Sequence, residues 1–185
     1  INFVEQGIAE MSSQCNNVFV VGISMGSVLA LHLSSIFPLN AAVFGATVLQ
    51  FKDYFGTRVL TPILHRIIPT RDKSLSYPPN IRNNIFYYGY PVWPMSAVNE
   101  MRKLSNKVKK TLSQVNVPAL IIHSEKDKLQ LPANTSLVYN SISSDIKEKL
   151  ILKNAGHNLF DYSLDQDMVF QKVGSFLNQF RDHNN

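Results

Sequence analysis

The sequence has a single cysteine, Cys15, so no disulfide can form within the chain. An unpaired thiol suits a reducing compartment, and the cytoplasm is the expected location. Long hydrophobic runs are missing too. Polar or charged residues interrupt every apolar stretch before the ~18 residues that a membrane span requires. Charge is sparse at 17% of residues, and the formal net charge of +5 is scattered except in residues 102–110. Neither a zinc-ligand spacing nor an aromatic RNA-binding motif accompanies those basic residues. This argues against nucleic acid as a partner and leaves no metal site to expect. There is no internal repeat and no low-complexity tract. The first residues carry no basic segment followed by an apolar core, so no secretory signal is in view. With Ile rather than Met at position 1, the start of the protein is expected to lie upstream.

What is present is an ordinary globular composition, 45% apolar, over a length that suits one domain with a real core. The most informative stretch is VFVVGISMGS, residues 18–27. A β-branched apolar run stops at Gly22, and a helix-compatible segment starts at Met25. Between them sits Ser24, with a glycine two residues away on each side. G-x-S-x-G between a strand and a helix is the pattern of a nucleophile elbow. Reversing from strand to helix in so few residues forces the serine into a strained backbone conformation. Glycine on each side is expected to keep Cβ atoms off the strand and the helix. The Met25 N–H then lies at a helix N-terminus, where it can point at a developing oxyanion. In a chain of this length the pattern alone arises by chance about one time in twenty, so its surroundings must carry more weight than the motif.

Those surroundings alternate between strand and helix. Phe3, Val4, Ile8 and Met11 recur at helical spacing, and residues 17–21 read as a short buried strand. The helix after Ser24 is apolar nearly all round and is closed by Pro38. Residues 41–51 and 117–123 are continuously apolar, as parallel strands covered on both faces are, and 149–153 read as a shorter strand. Residues 132–142 are a predicted helix with Pro132 near its first position. Ser163 and Gln166 are expected to form a capping box ahead of a last helix bearing Val169, Val173, Phe176, Leu177 and Phe180. The alternation predicts α/β architecture with a mostly parallel sheet flanked by helices. Residues 52–116 are too long for a simple crossover. Thr61-Pro62 can start one helix there and Ser96 can cap another. Between them runs an aromatic, proline-rich loop that includes Tyr88, Trp93 and Met95. An insertion of this kind reads as a helical cap over a core made of residues 1–51 and 117–185.

A serine hydroxyl becomes a useful nucleophile only when a base takes its proton and a third group orients the base. Asp127 follows the strand that ends at His123, and His157 follows the strand KLILK in the sequence NAGH. In a parallel sheet both loops leave the same end as the loop of Ser24, and the order Ser…Asp…His is that of this kind of site. Glu125 and Asp161 are alternative acids. His32, His65, His123 and His183 are alternative bases, with His32 read as a satisfied core histidine.

VVGISMGS at the elbow, the long insertion, VPALIIHSEKD and NAGH together resemble the α/β-hydrolases, in particular their capped carboxylesterases and monoacylglycerol lipases. The "LDQD" run leading into the last helix also looks like the esterase branch. The resemblance covers essentially the whole chain and implies the C-terminal part of an α/β-hydrolase fold. It also implies a serine hydrolase cleaving carboxylic esters, with Ser24, Asp127 and His157 as the triad and the Met25 N–H in the oxyanion hole. Tyr88, Trp93 and Met95 would line a pocket for an apolar acyl chain, and no cofactor or metal is implied. A peptidase, a thioesterase or a catalytically silent binding fragment on the same scaffold are the alternatives. The family normally places further strands ahead of the serine strand, and one of their loops supplies a second oxyanion donor. That part is expected to be missing here.

Overall fold

The computed structural model describes residues 1–53, 55–73, 90–160 and 163–181. The chain begins with α1 (Asn2–Gln14), β1 (Phe19–Ile23), α2 (Met25–Ser34) and β2 (Ala41–Gly45). A π-helical turn (Gly56–Leu60), α3 (Thr61–Leu64), β3 (Thr70–Asp72), β4 (Val92–Pro94) and α4 (Met95–Lys109) follow. The remainder is β5 (Ala119–Ser124), α5 (Ala133–Ser141), β6 (Lys147–Leu152) and α6 (Gln166–Asn178).

β1, β2, β5 and β6 form one parallel sheet in that spatial order, with Val21 beside Val43, Val43 beside Leu120 and Ile121 beside Lys149. The central strands are apolar except for His123 and Ser124 at the end of β5, and buried throughout, because both of their faces are covered. Ala42, Phe44, Ala119 and Ile121 face one hydrophobic cluster, while Ala41, Val43, Leu120 and Ile122 face another. Val28 and Leu31 of α2, Val108 of α4 and Val138 of α5 fill the first cluster; Val169 and Phe176 of α6 fill the second. β6 lies at an edge, and its first three residues, Lys147, Glu148 and Lys149, are charged, which suits an edge strand. All four strands point the same way, so the loops after β1, β2, β5 and β6 emerge together at one end of the sheet.

Several local expectations are corrected. The strand expected over 41–51 stops at Gly45, because Ala46 turns into the left-handed region at φ 44°. The apolar run continues past that point because the loop itself is buried: Val48 and Leu49 are fully enclosed. Its backbone groups find partners all the same. Ala46 N donates to Ile122 O at 2.9 Å, Ser105 Oγ donates to Val48 O at 2.7 Å, and the Asn134 amide grips both N and O of Gln50. Ser96 does not cap α4, which starts one residue earlier, straight out of β4. Thr61 is no cap either, since the π-helical turn runs into it. The capping box of Ser163 and Gln166 does not form, because Asp165 occupies the N-cap position of α6 and the Gln166 side chain donates to Phe160 O. The antiparallel pairing of β3 with β4, Arg71 beside Trp93, falls in a stretch read from sequence as loop. Within residues 52–116, the end of α4 and the turn after it are part of the core packing, with Val108, Leu112 and Val115 in the first cluster.

Candidate active site

Ser24 ends β1 and opens α2 with φ 57° and ψ −118°, a backbone conformation that costs about 1–3 kcal/mol and persists only where its surroundings enforce it. The enforcement is visible. Ser24 N donates to Gly45 O at 2.9 Å, tying the turn to β2, and a buried Ser27–Thr47 hydroxyl pair at 2.6 Å ties α2 to the loop after β2. Of the two flanking glycines only Gly22 is demanded by space. A Cβ there would lie 2.3 Å from Gly26 O, whereas a Cβ on Gly26 would meet nothing within 4 Å. The second glycine is therefore not required by crowding, which corrects the symmetrical expectation. Met25 N is the first helical N–H of α2, with no partner available inside the helix.

The loops after β5 and β6 bring Asp127 and His157 to this turn. His157 Nε2 lies 2.9 Å from Ser24 Oγ, and His157 Nδ1 lies 2.8 Å from Asp127 Oδ2. The other carboxylate oxygen, Asp127 Oδ1, accepts the backbone N–H groups of Leu129 at 2.8 Å and Gln130 at 2.9 Å. Burial alone would push the Asp127 carboxyl up. The His157 hydrogen bond and charge, followed by those two N–H groups, outweigh it and hold the carboxyl below its ordinary range. Asp127 is thus an anion that fixes His157 with its proton on Nδ1. That leaves the Nε2 lone pair for the Ser24 hydroxyl.

Two residues that sequence reading did not single out hold the histidine loop. Asp165 Oδ2 accepts Asn154 N at 2.5 Å and Ala155 N at 3.0 Å, and Oδ1 accepts Asn154 Nδ2 at 3.1 Å. These N–H groups, led by that of Asn154, keep the Asp165 carboxyl low against the opposing effect of burial. From the other side, the Ser124 hydroxyl at the end of β5 donates to Ala155 O. The Ala155 peptide is held at both ends, two residues before His157. The "LDQD" run was visible in the sequence, but nothing local to it shows which loop Asp165 grips. Lys52 similarly links two segments, donating to Asp127 O at 3.2 Å and Lys128 O at 2.6 Å.

Among the other titratable candidates, His123 is buried against the site with Nε2 3.4 Å from Asp127 Oδ2, and the rest lie apart. Glu125 is exposed on the turn before Asp127, and His65 bonds its own helix carbonyls. His32 is buried with Nε2 2.7 Å from Glu5, but its Nδ1 has no partner, so it is only half satisfied. Asp161, His183 and Tyr88 lie outside the described residues. Ser24 and His157 open onto a cavity of about 690 Å³ whose far wall includes Leu60, Leu64, Trp93 and Met95. Lys73 sits 4.0 Å from the centre of the Trp93 ring, bracing it by a cation–π contact. Among the described residues no three His, Cys, Asp or Glu side chains cluster as metal ligands, and no helix is long and apolar enough to cross a membrane.

Comparison with known proteins fits this geometry. The sequence pattern of the family described as "Serine aminopeptidase, S33" matches residues 2–162. The chain belongs to this family of α/β-hydrolases. A thermostable monoacylglycerol lipase of Bacillus sp. (strain H-257) is 28% identical over 182 residues, which cover 94% of this chain and 68% of the relative. Among solved structures, the monoacylglycerol lipase of Paleococcus ferrophilus superposes with a TM-score of 0.77 at 15% identity, covering 96% of this chain and 75% of that one. A soluble variant of the Saccharomyces cerevisiae monoglyceride lipase, in complex with a substrate analog, gives 0.77 at 16% identity, with coverage of 99% and 68%. These structural likenesses establish the α/β-hydrolase fold.

Proposed function

We propose that this α/β-hydrolase cleaves carboxylic esters through a Ser24–His157–Asp127 triad and an acyl-enzyme intermediate. The observation that carries the proposal is the unbroken hydrogen-bonded line from Ser24 Oγ through His157 to Asp127, opening on the cavity. His157 takes the Ser24 proton as the hydroxyl attacks the ester carbonyl, and Asp127 stabilises the imidazolium that forms. The Met25 N–H donates to the oxyanion. His157 then returns the proton to the departing alcohol, and water resolves the acyl-enzyme with His157 again as base. We assign residues 52–116 as the cap, with its apolar side chains at Leu60, Leu64, Trp93 and Met95 receiving the acyl chain. The 28% identity to a monoacylglycerol lipase favours a monoacylglycerol as substrate. We assign the protein to the cytoplasm, where the exposed thiol of Cys15 would stay reduced.

A series of p-nitrophenyl esters tests the substrate class: octanoate is expected to be turned over with higher kcat/KM than acetate, and the reverse preference would overturn the acyl-pocket assignment. The family's description as an aminopeptidase supports a second reading, hydrolysis of an amide at the same serine. Turnover of aminoacyl anilides faster than of the esters would favour it.

A further inference from the structure

We propose that His123 is a positioning residue for Asp127: a second, neutral imidazole whose Nε2–H faces the carboxylate oxygen that His157 also uses. This rests on the triad assignment above. His123 Nε2 lies 3.4 Å from Asp127 Oδ2, and the Asp127 side chain is fully buried. The His123 ring is itself buried at 1% exposure, and among the described residues neither of its nitrogens makes a hydrogen bond, so the 3.4 Å approach to Asp127 is a close electrostatic contact and not a formed hydrogen bond. Burying an imidazole with both nitrogens unpaired is costly, so a residue serving only as packing there would better be apolar. A carboxylate accepts about four donors. Asp127 has three at hydrogen-bond distance, two on Oδ1 and one on Oδ2, which leaves room on Oδ2 for a fourth.

The charged and titratable groups around the ring are Asp127, His157 and Lys52. Burial, the largest effect, lowers the His123 pKa; Asp127 raises it, while His157 and Lys52 lower it further. A neutral imidazole carries one N–H. The tautomer that turns this proton toward Asp127 is attractive, whereas the other turns a lone pair toward an anion. His123 thus limits rotation of the Asp127 carboxylate and takes up part of its charge, leaving the rest for His157.

The test compares His123→Phe, which keeps a ring but removes the donor, with His123→Gln, which keeps an N–H donor. The Phe variant is expected to lose about tenfold in kcat and in the rate of fluorophosphonate labelling, with KM unchanged. The acidic limb of its kcat/KM profile is expected to move up by about half a pH unit, because Asp127 then holds the imidazolium of His157 more strongly. The low-field NMR signal of the proton between His157 and Asp127 is expected to shift with it, a readout independent of substrate. The Gln variant is expected to recover most of the rate. Wild-type rates, limb and NMR signal in the Phe variant would overturn the inference. So would equal losses in both variants, which would mark His123 as packing alone. Wild-type protein whose labelling does not depend on Ser24 would instead overturn the triad assignment, and with it this proposal.

Discussion

The two walls of the cavity are built differently. On the sheet side, each residue of the proposed triad sits on a loop whose main chain is hydrogen-bonded to a neighbouring strand or loop. Ser24 N is held by Gly45, the Asp127 loop by Glu125 N donating to Leu152 O and by Lys52 donating to Asp127 O, and Ala155 by Asp165 and Ser124. On the other side, the π-helical turn and α3 together contribute one buried residue, Thr61. The stretch 55–67 that contains them exposes Phe55 at 62%, Ile63 at 65% and Ile67 at 74%. Segments so sparsely buried are the ones that open first. Under the proposed function, the difference puts chemistry on the wall that is over-determined and selectivity on the wall that is not. Substitutions on the first wall should change whether the reaction runs, and those on the second which substrate it accepts.

The strongest way to break this comparison is Ser24→Ala, expected to reduce ester turnover by about 10⁴-fold or more while leaving the melting temperature near its original value. Next is Gly22→Ala. Its Cβ would press on the backbone of Gly26, and a destabilisation of about 3 kcal/mol is expected, read as a lower denaturation midpoint. Asp165→Ala releases the Asn154 and Ala155 amides. Below its melting temperature this variant should lose about 10- to 100-fold in kcat with little change in KM, since it misplaces His157 without touching substrate. On the proposed cap wall, Trp93→Ala should lower kcat/KM for octanoate about tenfold relative to acetate, with acetate turnover little changed. An equal loss for both esters would erase the proposed division of labour.

The smallest effect is on pH dependence. Asp127 and Asp165 both have carboxyls held below the ordinary range. A group with a depressed folded-state pKa contributes stability that is present above its unfolded value of about 3.9 and is lost as pH falls through its folded value. The gap in melting temperature between wild type and Asp127→Asn should therefore be widest at neutral pH and close as the solution is acidified. A gap independent of pH would contradict the assigned charge of Asp127.

Much of the sheet was legible in the sequence because its rules are local. The apolar runs gave the central strands, and KLILK marked the shorter last one. The elbow was legible because a strained reversal between strand and helix leaves few choices of residue on the strand side, Gly22 above all. What was not legible depends on residues distant in sequence. Asp165 stands in the LDQD run ahead of the last helix, yet its carboxylate is spent on a loop ten residues back. The run 46–50 reads as strand because it is apolar, but beyond Ala46, whose N–H still reaches Ile122 of β5, Val48 and Gln50 are satisfied by Ser105 and Asn134. His123 reads as the last residue of a strand, and only the fold brings it against Asp127.

The most direct measurement is to label the intact protein with a fluorophosphonate and locate the adduct by peptide mass spectrometry. A single adduct on the peptide containing Ser24, formed at least a thousandfold more slowly in His157→Ala (about the loss that follows removal of a general base), is the predicted result. An adduct on another residue, or labelling of Ser24 at an undiminished rate without His157, would contradict the triad.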